Sequence, residues 1–421
     1  DNITADASNN EISQSLQPPF KDRKKIKFWQ EKLNHARVLR GIFATALTFF
    51  LIFKVPSFPE KTVPGVSSIS SSHNPIAYQI NITKDAKFSD DCHQQIHTFE
   101  FRDSKVKWVN GGYSYFSRGM STHCMLARAA KRLGPEFTLS MRITTADKDL
   151  NSTLAFGPAA TDQQMKMNKV PPLLFPDSTW ESWPEIYDYS LPKSVAKVRR
   201  AAEDNGLPGS PKWFKRKPQL LWRGSKMGKT RIEMINASLT SSLLDIKDTH
   251  LNITDDQRIR LQSPNTVTRE EHCQYRFLLH MNGEFNNRYS SAVKWKLLCG
   301  SLVFVPVKPL FVEWWNYQTW KANVHFVPYE STEDLLEKVK YYSKHLDEAA
   351  SIAQRGMELA QAAFDEAPHF IDSTLRRYQK LTGHLPRKAC AAPRIGKDAG
   401  TDYEFKSLED LRKEYGPEVC S

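Results

Sequence analysis

A chain of 421 residues, 40% hydrophobic and 25% charged, has room for two or three domains at roughly 100–200 residues each. Its 11% aromatic content excludes global disorder, and 6 cysteines in so long a chain exclude a disulfide miniprotein. The formal charge of +12 suits an anionic partner, without choosing among nucleic acid, a membrane surface and a sugar nucleotide.

Residues 1–20 are polar and read as disordered. A basic cluster from Lys21 to Arg40 then meets the uncharged run Gly41 to Phe53, closed by Lys54, Pro56 and Pro59. Extended to 38–55, with Arg40 and Lys54 snorkelling, the run reaches the lower length limit for a membrane-spanning helix. The basic block on one side predicts a single signal anchor with a cytosolic tail at 1–37. The alternatives are a buried core helix and a cleaved signal peptide. The expectation is a single-pass type II protein of the Golgi or ER membrane. Sequons at Asn81, Asn151, Asn236 and Asn252, all beyond the anchor, fit a lumenal body and are candidate N-glycosylation sites. Residues 56–91 have the Pro- and Ser-rich composition of a stem.

Globular signal begins near Cys92. Residues 137–144 alternate as a strand and lead into the polar turn that carries Asp147-Lys-Asp149. The Pro- and aromatic-rich stretch 170–189 reads as an ordered loop, and 203–218 as an interdomain linker. Beyond it strands and helices alternate. Strands are predicted at 219–222, 273–281, 301–307 and 324–329. Helices are predicted after Thr230, over 291–299, from Ser331 or Thr332 to His345, and from Asp347 to Phe364. That alternation predicts an α/β domain with a parallel sheet, whose ligands sit at the carboxyl ends of the strands.

Four segments carry candidate chemistry. Arg223-Gly-Ser-Lys-Met-Gly-Lys-Thr230 resembles a phosphate-binding loop one residue too short, since only three residues separate Gly224 from Gly228. Its Gly224, Ser225, Lys226 and Arg231 still offer backbone donors and positive charge to a diphosphate, or form a basic surface turn. At 282–296, Arg288, Ser290, Ser291 and Lys294 surround a helix N-terminus, which suits an anion or is an ordinary capped helix start. Asp147 and Asp149 match a D-x-D metal site, a single general base, or an exposed turn. Trp180, Trp183 and Glu185 suit an acceptor sugar or peptide, or pack the loop on the core.

Taken in order, EHCQYRFLLHMNGEF, KLLCGSLVFVPV, FVEWWNYQTWKANVHFVPY and IAQRGMELA, preceded by FPDSTWESWPEI and LLWRGSK, resemble the capsule-associated, Rumi-like glycosyltransferases of family 90. The resemblance covers roughly residues 95–380 and suggests a fungal member. It implies the GT-B architecture, two Rossmann-like domains facing a cleft: an acceptor-side domain at 92–210 and a UDP-sugar-binding domain at 211–375, followed by a C-terminal helix and tail at 376–421. It implies inverting transfer of glucose or xylose from a UDP-sugar to a protein or glycan hydroxyl. No metal, no other cofactor and no nucleic-acid partner are expected. Asp147, or Asp149, would be the catalytic base. Arg223, Gly224, Ser225, Lys226 and Arg231 would face the donor, and Trp180, Trp183 and Glu185 the acceptor. The resemblance also pairs Cys273 with Cys299 and leaves the partners of Cys92, Cys124, Cys390 and Cys420 open. The sequence departs from animal members where their Ser-Phe-Arg is replaced by Ser290-Ser291-Ala292. Arg288 or Lys294 would then supply the missing diphosphate charge. Metal-dependent transfer through the D-x-D pair and an inactive sugar-nucleotide- or glycan-binding protein are the competing readings.

Overall fold

The computed structural model describes residues 96–110, 116–144, 156–167, 173–181, 191–249, 264–283, 288–382, 404–416 and 420. The expected anchor and stem lie outside these residues. Among the described residues no helix is long and apolar enough to cross a membrane.

The first sheet is built from β1 (Ile96–Arg102), β2 (Lys105–Asn110), β3 (Leu139–Thr144), β4 (Phe156–Gly157) and β6 (Leu173–Leu174), in the order β2-β1-β3-β4-β6. It is mixed: β1 runs antiparallel to β2 and β3, whereas β3, β4 and β6 are parallel. A doubly wound Rossmann sheet would be parallel throughout its core, so the leading hairpin departs from that expectation. Phe99 and Phe101 alternate along β1 onto the face covered by helix α1 (Phe116–Leu133). Trp108 of β2 lies across Gly119 of α1, where a Cβ would come within 2.1 Å of the indole, so only glycine permits this approach.

A short strand β5 (Ala160–Thr161) and helix α2 (Asp162–Met167) lead from the first sheet, and β5 pairs with β11 (Phe311–Val312). Helix α3 (Leu191–Asp204) then carries the chain to the second sheet. That sheet contains β7 (Lys217–Gly224), β8 (Leu244–Asp248), β9 (Tyr275–Leu279), β10 (Leu302–Pro306) and β12 (Val327–Tyr329). Its order is β12-β10-β9-β7-β8, parallel throughout. All five residues of β9 are buried, as a central strand covered on both faces requires. The order is doubly wound, with its switch point between β7 and β9.

Between the sheets, residues 205–216, within the stretch read as an interdomain linker, form tight turns. Arg216 is 4% exposed and donates to the carbonyls of Gly206 at 2.7 Å, Cys299 at 3.0 Å and Ala202 at 3.2 Å. Two of its other partners, Gly300 O and Ser301 Oγ, lie just beyond helix α6 (Val293–Leu298), where carbonyls run out of helical donors. The expected Cys273–Cys299 disulfide is present. It ties α6 to the end of helix α5 (Arg269–His272).

Helix α4 (Lys229–Ser238) follows β7, and α7 (Thr332–Lys344) is capped by Ser331, whose side chain accepts from Asp334 N–H. Helix α8 runs from Leu346 to Thr382, well past the predicted end at Phe364. Pro368 marks a stop in the sequence, yet Phe364, Ala367, Ile371, Leu375 and Tyr378 keep one face buried through it. A second disulfide joins Cys124 of α1 to Cys420. It holds the tail, in which Lys406 bridges to Val106 of β2 and helix α9 (Leu408–Tyr415) packs on α1.

Candidate functional site at the carboxyl end of the second sheet

Strand β7 ends at Gly224, and the turn 225–228 enters α4. Gly228 has φ 104°, a left-handed conformation that favours glycine. The turn is braced on both sides. Lys226 N–H donates to Asp248 Oδ1 at 2.9 Å. Arg231 lies 5.4 Å over the Trp222 ring and donates to Ser225 O at 3.0 Å and Asn282 O at 2.6 Å. Arg231 thus spans the ends of β7 and β9, the position where an open parallel sheet leaves its crevice.

Arg223 does not face that crevice. Its guanidinium makes a bidentate pair with Asp245, at 2.8 and 2.9 Å, and also donates to the Asp245 and Trp222 carbonyls. Burial pushes the Asp245 carboxyl up, but the Arg223 and Tyr275 hydrogen bonds outweigh it and leave it below its ordinary value. The side chain is committed to bonding between strands, so the diphosphate role expected of it does not fit this geometry.

Lys294 is buried as well, with no exposed surface. Its Nζ donates to Ser291 O at 3.1 Å and lies 3.6 Å from Asp177 Oδ1, 3.8 Å from Glu313 Oε2 and 5.0 Å over the Trp180 ring. Asp177 in turn caps the single helical turn Ser178–Trp180 by accepting from Thr179, and it accepts from Tyr289 Oη at 3.0 Å. This cluster joins the aromatic loop of the first layer to the second sheet. Lys294 and Arg223 share no partner in it.

Burial raises the Glu313 carboxyl to about 7, with Lys294 pulling it down and Asp177 pushing it up. His280, which follows β9, is held neutral: burial lowers it well below its ordinary value, and the charges of Lys296, Arg231 and Lys294 add to that. Lys296 donates to Leu279 O at 2.6 Å, and burial followed by Arg231 lowers it to about 7. Three basic side chains therefore add to the effect of burial on His280, of which Lys294 is paired with Asp177 and Glu313 and Lys296 with the Leu279 carbonyl.

The other expected site residues divide clearly. Trp180 is 2% exposed and packs on Trp314 and Phe364, so it is a core residue and not an open acceptor platform. Ser290 lines a small cavity between His280 and Glu313, and Arg288 O accepts from Gly283 N–H at 2.6 Å. Asn236 is exposed on the last turn of α4. Asp147, Asp149, Trp183, Glu185, Asn81, Asn151 and Asn252 lie outside the described residues, as do Cys92 and Cys390. Among the described residues no group of three or more His, Cys, Asp or Glu side chains is placed to hold a metal.

Glu313, His280 and Asp177 were not singled out from the sequence. Glu313 and Asp177 sit inside aromatic segments, where Trp dominates the pattern. The signal for His280 is a polar residue closing an otherwise apolar strand.

The glycosyl transferase family 90 model matches residues 166–408, which include both the braced turn and the buried cluster. An O-glucosyltransferase rumi homolog of Aedes aegypti is 29% identical over 226 residues, 48% of this chain and 51% of that one. A rumi homolog of Anopheles gambiae is 31% identical over 212 residues, 48% of this chain and 51% of its own length. Protein O-glucosyltransferase 2 of Danio rerio is 26% identical over 216 residues, 49% of this chain and 41% of its own length. The chain spans about half the length of the curated relatives it matches. With more than half of its residues inside the family model, the chain belongs to glycosyl transferase family 90.

Proposed function

We propose that this chain is an inverting glycosyltransferase that moves glucose or xylose from a UDP-sugar to a hydroxyl of a protein or glycan acceptor. The family match over 166–408 carries the reading, because it spans the crevice that the fold leaves at its switch point. Named relatives that are O-glucosyltransferases support transfer to oxygen. The expected anchor and sequons support a lumenal site in the Golgi or ER as a type II membrane protein.

In this reading Asp147, or Asp149, takes the proton of the acceptor hydroxyl as that oxygen attacks the anomeric carbon. The C–O bond to UDP breaks on the opposite face, and the bonding pair leaves with the diphosphate. No covalent intermediate is needed, as in inverting hydrolysis. Negative charge grows on the leaving group. Arg231 and the turn 225–228 are the groups this reading sets beside that charge, and each well-placed donor is worth about 3 kcal/mol in comparable sites. A positioned base contributes about 10²–10⁴-fold.

The purified chain is tested with UDP-glucose and UDP-xylose, reading UDP release with and without acceptor and in EDTA. Turnover that survives EDTA and falls about 10²-fold or more in Asp147→Asn supports the reading. Loss in EDTA favours the D-x-D metal mechanism. UDP binding without turnover favours an inactive binding protein, the reading favoured by Ala292 standing where animal members carry arginine.

A further inference from the structure

At the carboxyl ends of β9 and β10 lies a small cavity with an unusual wall. It is bounded by His280, Tyr289, Ser290, Phe311, Glu313 and Trp320. Glu313 is 2% exposed, yet neither carboxylate oxygen has a well-aligned hydrogen bond, although the Tyr289 and Trp315 side chains reach towards it. Tyr289 donates to Asp177 at 3.0 Å, and the Lys294 ammonium stops 3.8 Å away. The His280 Nδ1 and the Trp320 Nε1 are also buried without a partner. A buried polar group left unbonded costs about 1–3 kcal/mol, and a carboxylate more, so three around one space call for an occupant.

The wall defines what that occupant is. Glu313 supplies acceptors, the Trp320 indole supplies a donor, and the His280 Nδ1 takes either part according to tautomer. An anion would meet Glu313, and a cation would meet Lys294, which stands between Asp177 and Glu313. A neutral group that both donates and accepts fits all three. The free space, about 10 Å³, holds one hydroxyl-sized group and no more.

We propose that this pocket receives a single alcohol group of the nucleotide sugar, which donates to Glu313 and accepts from Trp320 or His280, and so reads the ligand's hydroxyl pattern. The inference rests on the UDP-sugar reading above and names a specificity element within it. A sugar hydroxyl and a ribose hydroxyl present the same chemistry, so the experiment separates them.

Isothermal titration calorimetry of the full chain uses UDP-glucose, UDP, 2′-deoxy-UDP and 3′-deoxy-UDP as probes. Glu313→Gln keeps the shape and removes the charge, and weakens UDP-glucose binding about 10-fold or more. Trp320→Phe keeps the aromatic body and removes the N–H, and weakens it about threefold to tenfold. If UDP binding is unchanged in both variants, the hydroxyl belongs to the transferred sugar. If UDP weakens equally and one deoxy analogue no longer senses either substitution, it belongs to the ribose. Either pattern supports the proposal. Wild-type affinity in both variants for UDP-glucose and UDP overturns it and leaves a cavity for bound water only. Should Glu313→Gln fail to fold, for want of a partner for Lys294, Trp320→Phe decides alone. A wild-type chain that binds none of the four probes overturns the UDP-sugar reading itself, and that result is seen before any variant is made.

Discussion

The two sheets are closed by opposite kinds of buried polar group. Behind the first sheet lie two neutral imidazoles: His97 and His123 have no exposed surface and stand among Phe99 and Trp108. Behind the second lie cations, namely Arg216, Arg276, Lys294 and Lys296, each less than a tenth exposed. Arg216, Arg276 and Lys296 donate to backbone carbonyls, of Gly206, Phe214 and Leu279 among others. The difference follows from topology. The antiparallel hairpin of the first sheet pairs its own backbone groups, whereas parallel strands and short helices end inside the protein with carbonyls that need outside donors. With two such imidazoles against the second sheet's His280, the first layer should therefore be the more sensitive to protonation, and the second to loss of particular side chains.

The largest effect is expected at Arg216. Arg216→Met keeps most of the apolar volume and strands the carbonyls of Ala202, Gly206 and Cys299 in the interior. At about 1–3 kcal/mol per group left unbonded, a loss of 3 kcal/mol or more is expected, read as a shift in the urea midpoint at constant slope. A change below 1 kcal/mol would break the comparison at its root. Next is the tail. Cys124→Ser with Cys420→Ser removes a closure across 296 positions and should cost on the order of 3–5 kcal/mol. Hydrogen exchange should rise in α1, β2 and α9 while β9 and β10 stay protected. Equal loosening of both sheets would show that the tail supports more than the first layer.

For each titrating group, acid gives a smaller effect with a fixed sign. Burial lowers His97 and His123 from 6.5 to about 4. The unfolded chain takes each proton near pH 6.5, and the fold only near pH 4, so protons favour unfolding in between. Stability is whole above pH 6.5 and falls as pH drops towards 4, by up to about 3 kcal/mol per histidine. Urea midpoints at pH 7 and pH 5 measure it. In His123→Gln the drop should shrink, and an unchanged drop would move the acid sensitivity out of this layer.

Legibility from sequence divides along the same line. The second sheet was plainer because YRFLL and LVFVP are apolar runs alternating with helical periods; β7, β9, β10 and β12 lie within three residues of the predicted strands, whereas β8, LDIKD, is more than half charged and was missed. The first sheet was obscure because β4 and β6 are two residues each, too short to carry a period. The site was legible as a place and less so as a set of residues. The turn after β7 was found. Which way Arg223 and Lys294 point was not, because both partners, Asp245 and Glu313, are distant in sequence and ordinary in composition. Likewise, 203–218 has the Pro, Gly and Lys content of a linker, and nothing local shows that one arginine in it satisfies several carbonyls.

The smallest expected effect tests whether burial, and not positive charge itself, makes the second layer's arginines matter. Arg199 of α3 pairs with Asp365 of α8 at 2.8 Å, but the carboxylate is 65% exposed and strands no carbonyl when it goes. Water replaces the partner on either side, and the side chains regain rotamer freedom, so the net gain from such a pair is about 0.2–1 kcal/mol. Asp365→Asn should lower stability by no more than that at low salt. At 1 M salt, where screening acts over about 3 Å, the difference should vanish. A salt-independent loss comparable to Arg216→Met would mean that α3 and α8 are held together by this contact. The division between carbonyl-bound cations inside and dispensable cations outside would then have to be redrawn.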